Sequence, residues 1–136
     1  MFLLDTNVIS ELRKAKPHGG VLAWLTATPE SDLFVSAVTL GEIQRGIELT
    51  KDQNPAKAQD ITLWADSLAD THNILPMDAR AFRACARLMH HQSGALLEDA
   101  MIAATALVHQ LTVVTRNTRD FAVFKVPVFN PFMKPV

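Results

Sequence analysis

At 136 residues the chain is the size of one ordinary domain, and with 49% hydrophobic residues it can build a core without covalent staples. Its 13 basic and 14 acidic residues leave a net charge of -1, which excludes nucleic-acid binding by bulk positive charge but allows a local basic patch. The lone Cys85 excludes an internal disulfide, and no cysteine–histidine zinc spacing is present.

Met1 to Leu4 is too short an apolar run for a signal peptide or a membrane span, and no later stretch of adequate length is free of charge. A soluble protein of the reducing cytoplasm, without a membrane partner, is therefore expected. Phe2–Leu4 reads as a buried strand that stops at Asp5. Residues 7–14 read as a short helix, ended by the turn cluster Lys16-Pro17-His18-Gly19-Gly20. A helix over 21–28 stops before Pro29, and Leu33–Val35 is a second strand. Residues 40–51 form an amphipathic helix with Leu40, Ile43 and Ile47 on one stripe. A long helix follows from Pro55 to Asp70, then a short strand over Asn73–Leu75. Asp78 to His91 is helical, with Phe82, Cys85 and Met89 expected to face inward, so that Cys85 packs as a small hydrophobe. An alanine-rich helix spans 98–110 and the most strongly apolar, β-branched strand spans Leu111–Thr115. Val126–Phe129 is a last strand, kept at the sheet edge by Pro127. No repeat or low-complexity tract interrupts this order, so residues 1–136 read as one domain.

Strands alternating with helices predict an α/β fold, a mainly parallel sheet flanked by helices. Ligands of such sheets gather at the carboxyl ends of the strands. Asp5 leaves the first strand there, and Thr115, Arg116 and Asn117 leave the strand over 111–115.

Three separated carboxylates are the candidate site, and each also has a plain structural reading. Asp5 is placed to cap the following helix. Thr39-Leu40-Gly41-Glu42 spells a capping box in which Glu42 bonds back to the Thr39 backbone. Glu98 and Asp99 begin a helix, where the dipole favours negative charge. Against these readings, Asp99 shares a stripe with Ile102 and Ala106 and so points inward or into a cleft. Gly46, one turn after Glu42, leaves the space beside that side chain clear. Buried carboxylates without partners are costly, and Mg2+ or Mn2+ suits an all-oxygen set. Asn117 and Asp120 offer a fourth oxygen donor, although Asp120 also fits as the cap of a short helix.

Together these residues resemble the PIN-domain ribonucleases, specifically the VapC- and FitB-like toxins. Leu4-Asp5-Thr6-Asn7-Val8-Ile9-Ser10-Glu11-Leu12 is similar to the family's first motif, and Ser36-Ala37-Val38-Thr39-Leu40-Gly41-Glu42 with Gly46 to the second. Asp99 to Ala106 is similar to the third, and Val114-Thr115-Arg116-Asn117 with Asp120-Phe121 to the fourth. Val128-Phe129-Asn130-Pro131-Phe132 is similar to the close of the FitB-like branch. One departure is Asn117, where the family often has an aspartate; this leaves the fourth ligand open between Asn117 and Asp120.

The resemblance implies a three-layer sandwich, commonly a homodimer, and a small antitoxin whose tail blocks the cleft. It also implies a Mg2+- or Mn2+-dependent endoribonuclease. Asp5, Glu42, Asp99 and Asp120 would carry the chemistry, with Asp5, Asp99, Glu42 and Asn117 as metal donors. Thr6, Thr115 and Arg116 lie beside that site as substrate-binding candidates, the two threonines either bonding a ligand or the phosphate or simply capping strand ends. Arg80, Arg83 and Arg87, with His90 and His91 one turn on, form a positive stripe that either tracks an RNA backbone or is a solvated helix face. Arg13, Lys14 and Lys16 form a second basic group. Trp24 and Trp64 occupy apolar helix positions and read as core or dimer interface. The rival to an active ribonuclease is a binding module that keeps the fold without the chemistry. A phosphatase ranks below both, since no nucleophile motif is present.

Overall fold

The computed structural model describes residues 1–133. Its frame is a five-stranded sheet in which every neighbouring pair is parallel: β1 (Phe2–Leu4), β2 (Leu33–Ser36), β3 (Asn73–Leu75), β4 (Thr112–Val114) and β5 (Val128–Phe129), in the order β3-β2-β1-β4-β5. The first strand of the chain is thus the centre of the sheet. Phe2 stands opposite both Leu33 and Thr112, and Leu4 opposite both Val35 and Val114.

Alternation along the two central strands divides the interior in two. Leu3 and Val113 face one side, where α5 (Ala79–Met89), α6 (Leu97–His109) and α7 (Thr118–Ala122) bury Ala84, Cys85, Ile102, Ala106 and Phe121. Leu4, Val35 and Val114 face the other side. There α1 (Thr6–Ile9), α2 (Gly19–Ala27), α3 (Ala37–Lys51) and α4 (Pro55–Thr71) bury Val8, Val21, Ile43, Ile47, Ile61 and Leu68. This is the expected three-layer sandwich. The alanines of α6 have the expected use: five of its buried residues are small enough for the helix to lie close on β1, β4 and α5, and Ala100, Ala103, Ala104 and Ala106 are completely enclosed.

Several local expectations are corrected. The helix expected over 40–51 begins three residues earlier at Ala37, because Ser36 Oγ accepts the Val38 N–H at 3.1 Å and caps it there. The segment 7–14 is one α-helical turn, Thr6–Ile9, continued as a 3₁₀ turn over Ser10–Arg13. The strand expected from Leu111 to Thr115 pairs over Thr112–Val114, and the one from Val126 narrows to Val128–Phe129. Phe82 does not face inward: it is 55% exposed. The buried face of α5 is Ala81, Ala84 and Cys85, with Met89 half-buried at its end, because the closely packed α6 admits small side chains and leaves no room for a phenyl ring. Trp24 is half-buried against Phe2, ring centroids 5.0 Å apart and edge to face, and Trp64 packs on the second core under the Arg13 guanidinium. No helix among the described residues is long and apolar enough to cross a membrane.

Candidate active site

Asp5 stands where β1 ends, and its own N–H donates to Val114 O of neighbouring β4 at 2.9 Å. The residue is 5% exposed. Oδ1 accepts the Thr6 N–H at 2.8 Å; Oδ2 accepts the Thr115 hydroxyl at 2.8 Å and Asn7 Nδ2 at 3.2 Å. One oxygen thus caps α1, as expected, while the other is held by Thr115 just after β4. Burial raises the Asp5 pKa and outweighs the opposing pull of these three donors.

Glu42 departs from the capping box. With α3 capped by Ser36, Glu42 lies in its second turn and its Oε2 accepts the Thr6 hydroxyl at 2.8 Å. Half-burial, then repulsion from Glu98 and Asp5, push its pKa up to about 7. Asp99, half-buried at the head of the Ile102–Ala106 stripe, is pushed up to about 6 by burial and then by Asp5, Asp120 and Glu98. Five carboxylates from β1, α3, α6 and α7 thus feel one another across a single rim. Protonation relieves this repulsion, as the raised pKa values record, and at higher pH a divalent cation would relieve it in the proton's place; an all-oxygen carboxylate set suits Mg2+ or Mn2+. Among the described residues no three His, Cys, Asp or Glu side chains already stand close enough together to hold an ion. The chemistry of the donor set, rather than a closed coordination shell, is what fits a metal here.

The remaining sequence candidates fall into two groups. Thr6, Thr115, Arg116, Asn117 and Asp120 lie with the carboxylates. Thr115 is fully buried, donates to Asp5 and accepts the Asn117 N–H at 2.9 Å. Asn117 occupies the N-cap position of α7 without a side-chain cap bond, and Asp120 lies in the first turn of that helix, where it raises the Asp99 pKa. Arg83 and Arg87 belong elsewhere. With Arg80 and Val108 they line a groove of about 250 Å³ that contains none of the acids. Val108 is nine residues beyond Asp99 on α6, roughly 13 Å along the helix axis.

Three residues were not among the sequence candidates for the site. Asn7 links both sides of the site: its Nδ2 donates to Asp5 and Thr115, and its Oδ1 accepts the Arg116 N–H at 3.1 Å. Its place two residues past a strand-end acid was the available signal. Glu98 bears on both Glu42 and Asp99, and Arg45 approaches it at 3.6 Å over a cleft of about 450 Å³ that Asp99 also lines. Glu11, in the 3₁₀ turn after α1, is buried.

Comparison with known proteins agrees with this geometry. The PIN domain family model matches residues 2–126. The chain is 36% identical to VapC ribonuclease Y4jK of Sinorhizobium fredii, over 97% of this chain and 98% of that one. It is also 36% identical to Toxin FitB of Neisseria gonorrhoeae, over 97% and 99%. A solved structure of FitAB bound to an IR36 DNA fragment superposes with a TM-score of 0.86 at 35% identity, covering 100% of this chain and 99% of the other. Motifs, sheet order and these likenesses lead to one conclusion: the chain belongs to the PIN domain family, in its VapC- and FitB-like branch.

Proposed function

We propose that this protein is a VapC-type ribonuclease, the toxin of a type II toxin–antitoxin pair, and that residues 1–136 form one nuclease domain hydrolysing RNA phosphodiester bonds. The observation that carries the reading is the convergence of Asp5, Glu42 and Asp99, with Glu98 and Asp120, at the carboxyl ends of β1 and β4. Relatives named as a VapC ribonuclease and as a FitB toxin support it.

In this reading Asp5, Glu42 and Asp99 would hold Mg2+ or Mn2+, with Asn117 or Asp120 as the further oxygen donor. The bound ion supplies an activated water and charge neutralisation at the phosphate. The chain's own residues do the positioning. Thr115 and Asn7 hold one oxygen of Asp5 in place while the Thr6 N–H holds the other. The Thr6 hydroxyl fixes Glu42, so α1 orients two acids at once. Arg116, leaving β4 beside Thr115, offers a cation to a phosphate flanking the scissile one. Asp120 acts on Asp99 through its charge, while Asn117 offers a neutral amide oxygen at the N-cap of α7. Arg83 and Arg87 would meet RNA only farther along its backbone.

A cognate antitoxin and a homodimer complete the proposal, the former supported by the FitAB complex in which the FitB relative is solved. The direct test is cleavage of structured RNA by purified protein. Activity is expected with Mg2+ or Mn2+, and none in EDTA or in Asp5→Asn and Asp99→Asn. Full activity in EDTA, or in either variant, overturns the reading. A wild-type protein that binds no divalent ion in a calorimetric titration would favour the binding-module alternative.

A further inference from the structure

Glu11 is a carboxylate with unusual surroundings. The residue is 3% exposed, and its Oε1 accepts the His18 N–H at 2.9 Å. Its Oε2 is buried and, among the described residues, has no hydrogen-bond partner. Lys14 Nζ lies against that oxygen as an ion pair, and Arg116 Nη2 approaches it at 4.0 Å from a part of the chain more than a hundred residues away. Lys14 and the His18 N–H hold the Glu11 pKa below its ordinary value, so the side chain stays charged. A buried, charged carboxylate that already pairs with Lys14 still attracts a second cation that comes within reach, here Arg116.

This second cation is also held on its other side. The Arg116 guanidinium carbon lies 4.1 Å from the centre of the Phe132 ring, within cation–π range. Phe132 is in turn packed on the His18 ring, centroids 5.1 Å apart. The contacts close a circuit: Glu11 holds the His18 backbone, His18 supports Phe132, Phe132 carries Arg116, and Arg116 reaches back to Glu11. The Arg116 backbone is pinned separately, through Asn7, to Asp5.

We infer that Glu11 and Phe132 are positioning residues that clamp the Arg116 guanidinium at the edge of the carboxylate cleft, ready to receive a phosphate of the RNA strand. The inference rests on the ribonuclease reading for its substrate. Neither residue touches RNA; both act through Arg116. A long arginine side chain that is half exposed, as this one is, otherwise loses rotamer freedom on meeting its ligand. A carboxylate on one side and a ring face on the other remove that freedom in advance, leaving one face and edge of the fork for phosphate.

Charge alone predicts the opposite sign to the clamp. Glu11→Gln removes a negative charge next to a polyanion, so simple electrostatics makes RNA bind more tightly. The clamp makes it bind more weakly. The experiment is anisotropy of a fluorescein-labelled single-stranded RNA in EDTA, where cleavage is suppressed. Wild type, Glu11→Gln, Phe132→Leu, Arg116→Ala and the two doubles with Arg116→Ala are compared, each with its thermal melt. Glu11→Gln and Phe132→Leu are each expected to weaken binding roughly tenfold, and to add less than about twofold in the Arg116→Ala background. With Mg2+, KM should rise while kcat holds. Tighter or unchanged binding by both variants, or the same loss with and without Arg116, overturns the clamp. If Glu11→Gln fails to fold, Phe132→Leu decides alone by the same criteria. A wild type that binds RNA but never cleaves it fails the ribonuclease reading and leaves the clamp standing on its binding data.

Discussion

Asp5 shows how one residue answers to a local rule and to distant partners at the same time. Its backbone belongs to the end of β1, one oxygen caps α1, and the other is held by Thr115 and Asn7 at the rim. Thr115 is the most informative of these partners to change, because it is fully buried and joined to three groups. Thr115→Val keeps the shape but deprives Asp5 of a donor and the Asn117 N–H of its acceptor. A loss of about 1–3 kcal/mol in urea unfolding is expected, with weaker cleavage. A midpoint equal to wild type would mean that this network adds nothing to the fold. Thr6→Val removes the donor that lowers the Glu42 pKa. The Glu42 carboxyl should then titrate above its wild-type value by NMR, and an unmoved or lower value would contradict the assignment.

At the scale of elements, two glycines make opposite predictions. A Cβ on Gly46 in the middle of α3 meets nothing within 4 Å. Gly46→Ala should therefore raise stability by about 1 kcal/mol through helix propensity. If the open space beside Glu42 serves the substrate, cleavage falls as the melting temperature rises; higher stability with undiminished cleavage removes that use of the space. Gly20 lies in the first turn of α2, where a Cβ would come within 2.7 Å of the Pro131 carbonyl oxygen, and backbone cannot swing aside as a side chain does. Gly20→Ala should cost about 1–3 kcal/mol by pushing the segment after β5 off α2. An unchanged melting temperature would show that this segment yields freely.

For the molecule as a whole, the acids set a pH dependence whose sign is the reverse of the usual carboxylate case. Glu42, at about 7, and Asp99, at about 6, both lie above their ordinary values of 4.5 and 3.8. Between those limits the folded protein keeps protons that the unfolded chain has released, so stability falls as pH rises. In EDTA the melting temperature should decline from about pH 5 to about pH 7.5, and Mg2+ should recover most of the loss at the upper end, where the carboxylates are free to bind it. A flat profile in EDTA, or no effect of Mg2+ at the upper end, would mean that the acids are not crowded as described. Glu42→Gln should flatten the EDTA profile.

Much of this architecture is written locally. Apolar runs ending at Asp5 and Thr115, helical stripes between them, and Pro127 near the last strand were enough for an α/β fold with a mainly parallel sheet and its acids at one rim. Strand and helix periods depend on near neighbours, so they survive reading one residue at a time. The order of the motifs carried the family likeness in the same way. What tertiary structure alone decided was which of several locally acceptable partners each side chain takes. Glu42 had a backbone to cap on its own helix and instead received the Thr6 hydroxyl from 36 residues away. Phe82 lay at an apolar helix position and was displaced outward by the close approach of α6. Arg83 and Arg87 matched a phosphate track in spacing but were set in a groove apart from the acids. Glu11, part of the first motif, gained Arg116 as a partner only once the chain folded, and Arg116 in turn met Phe132. Burial and electrostatics are properties of surroundings in space, and those surroundings exist only once β1 has taken its place between β2 and β4.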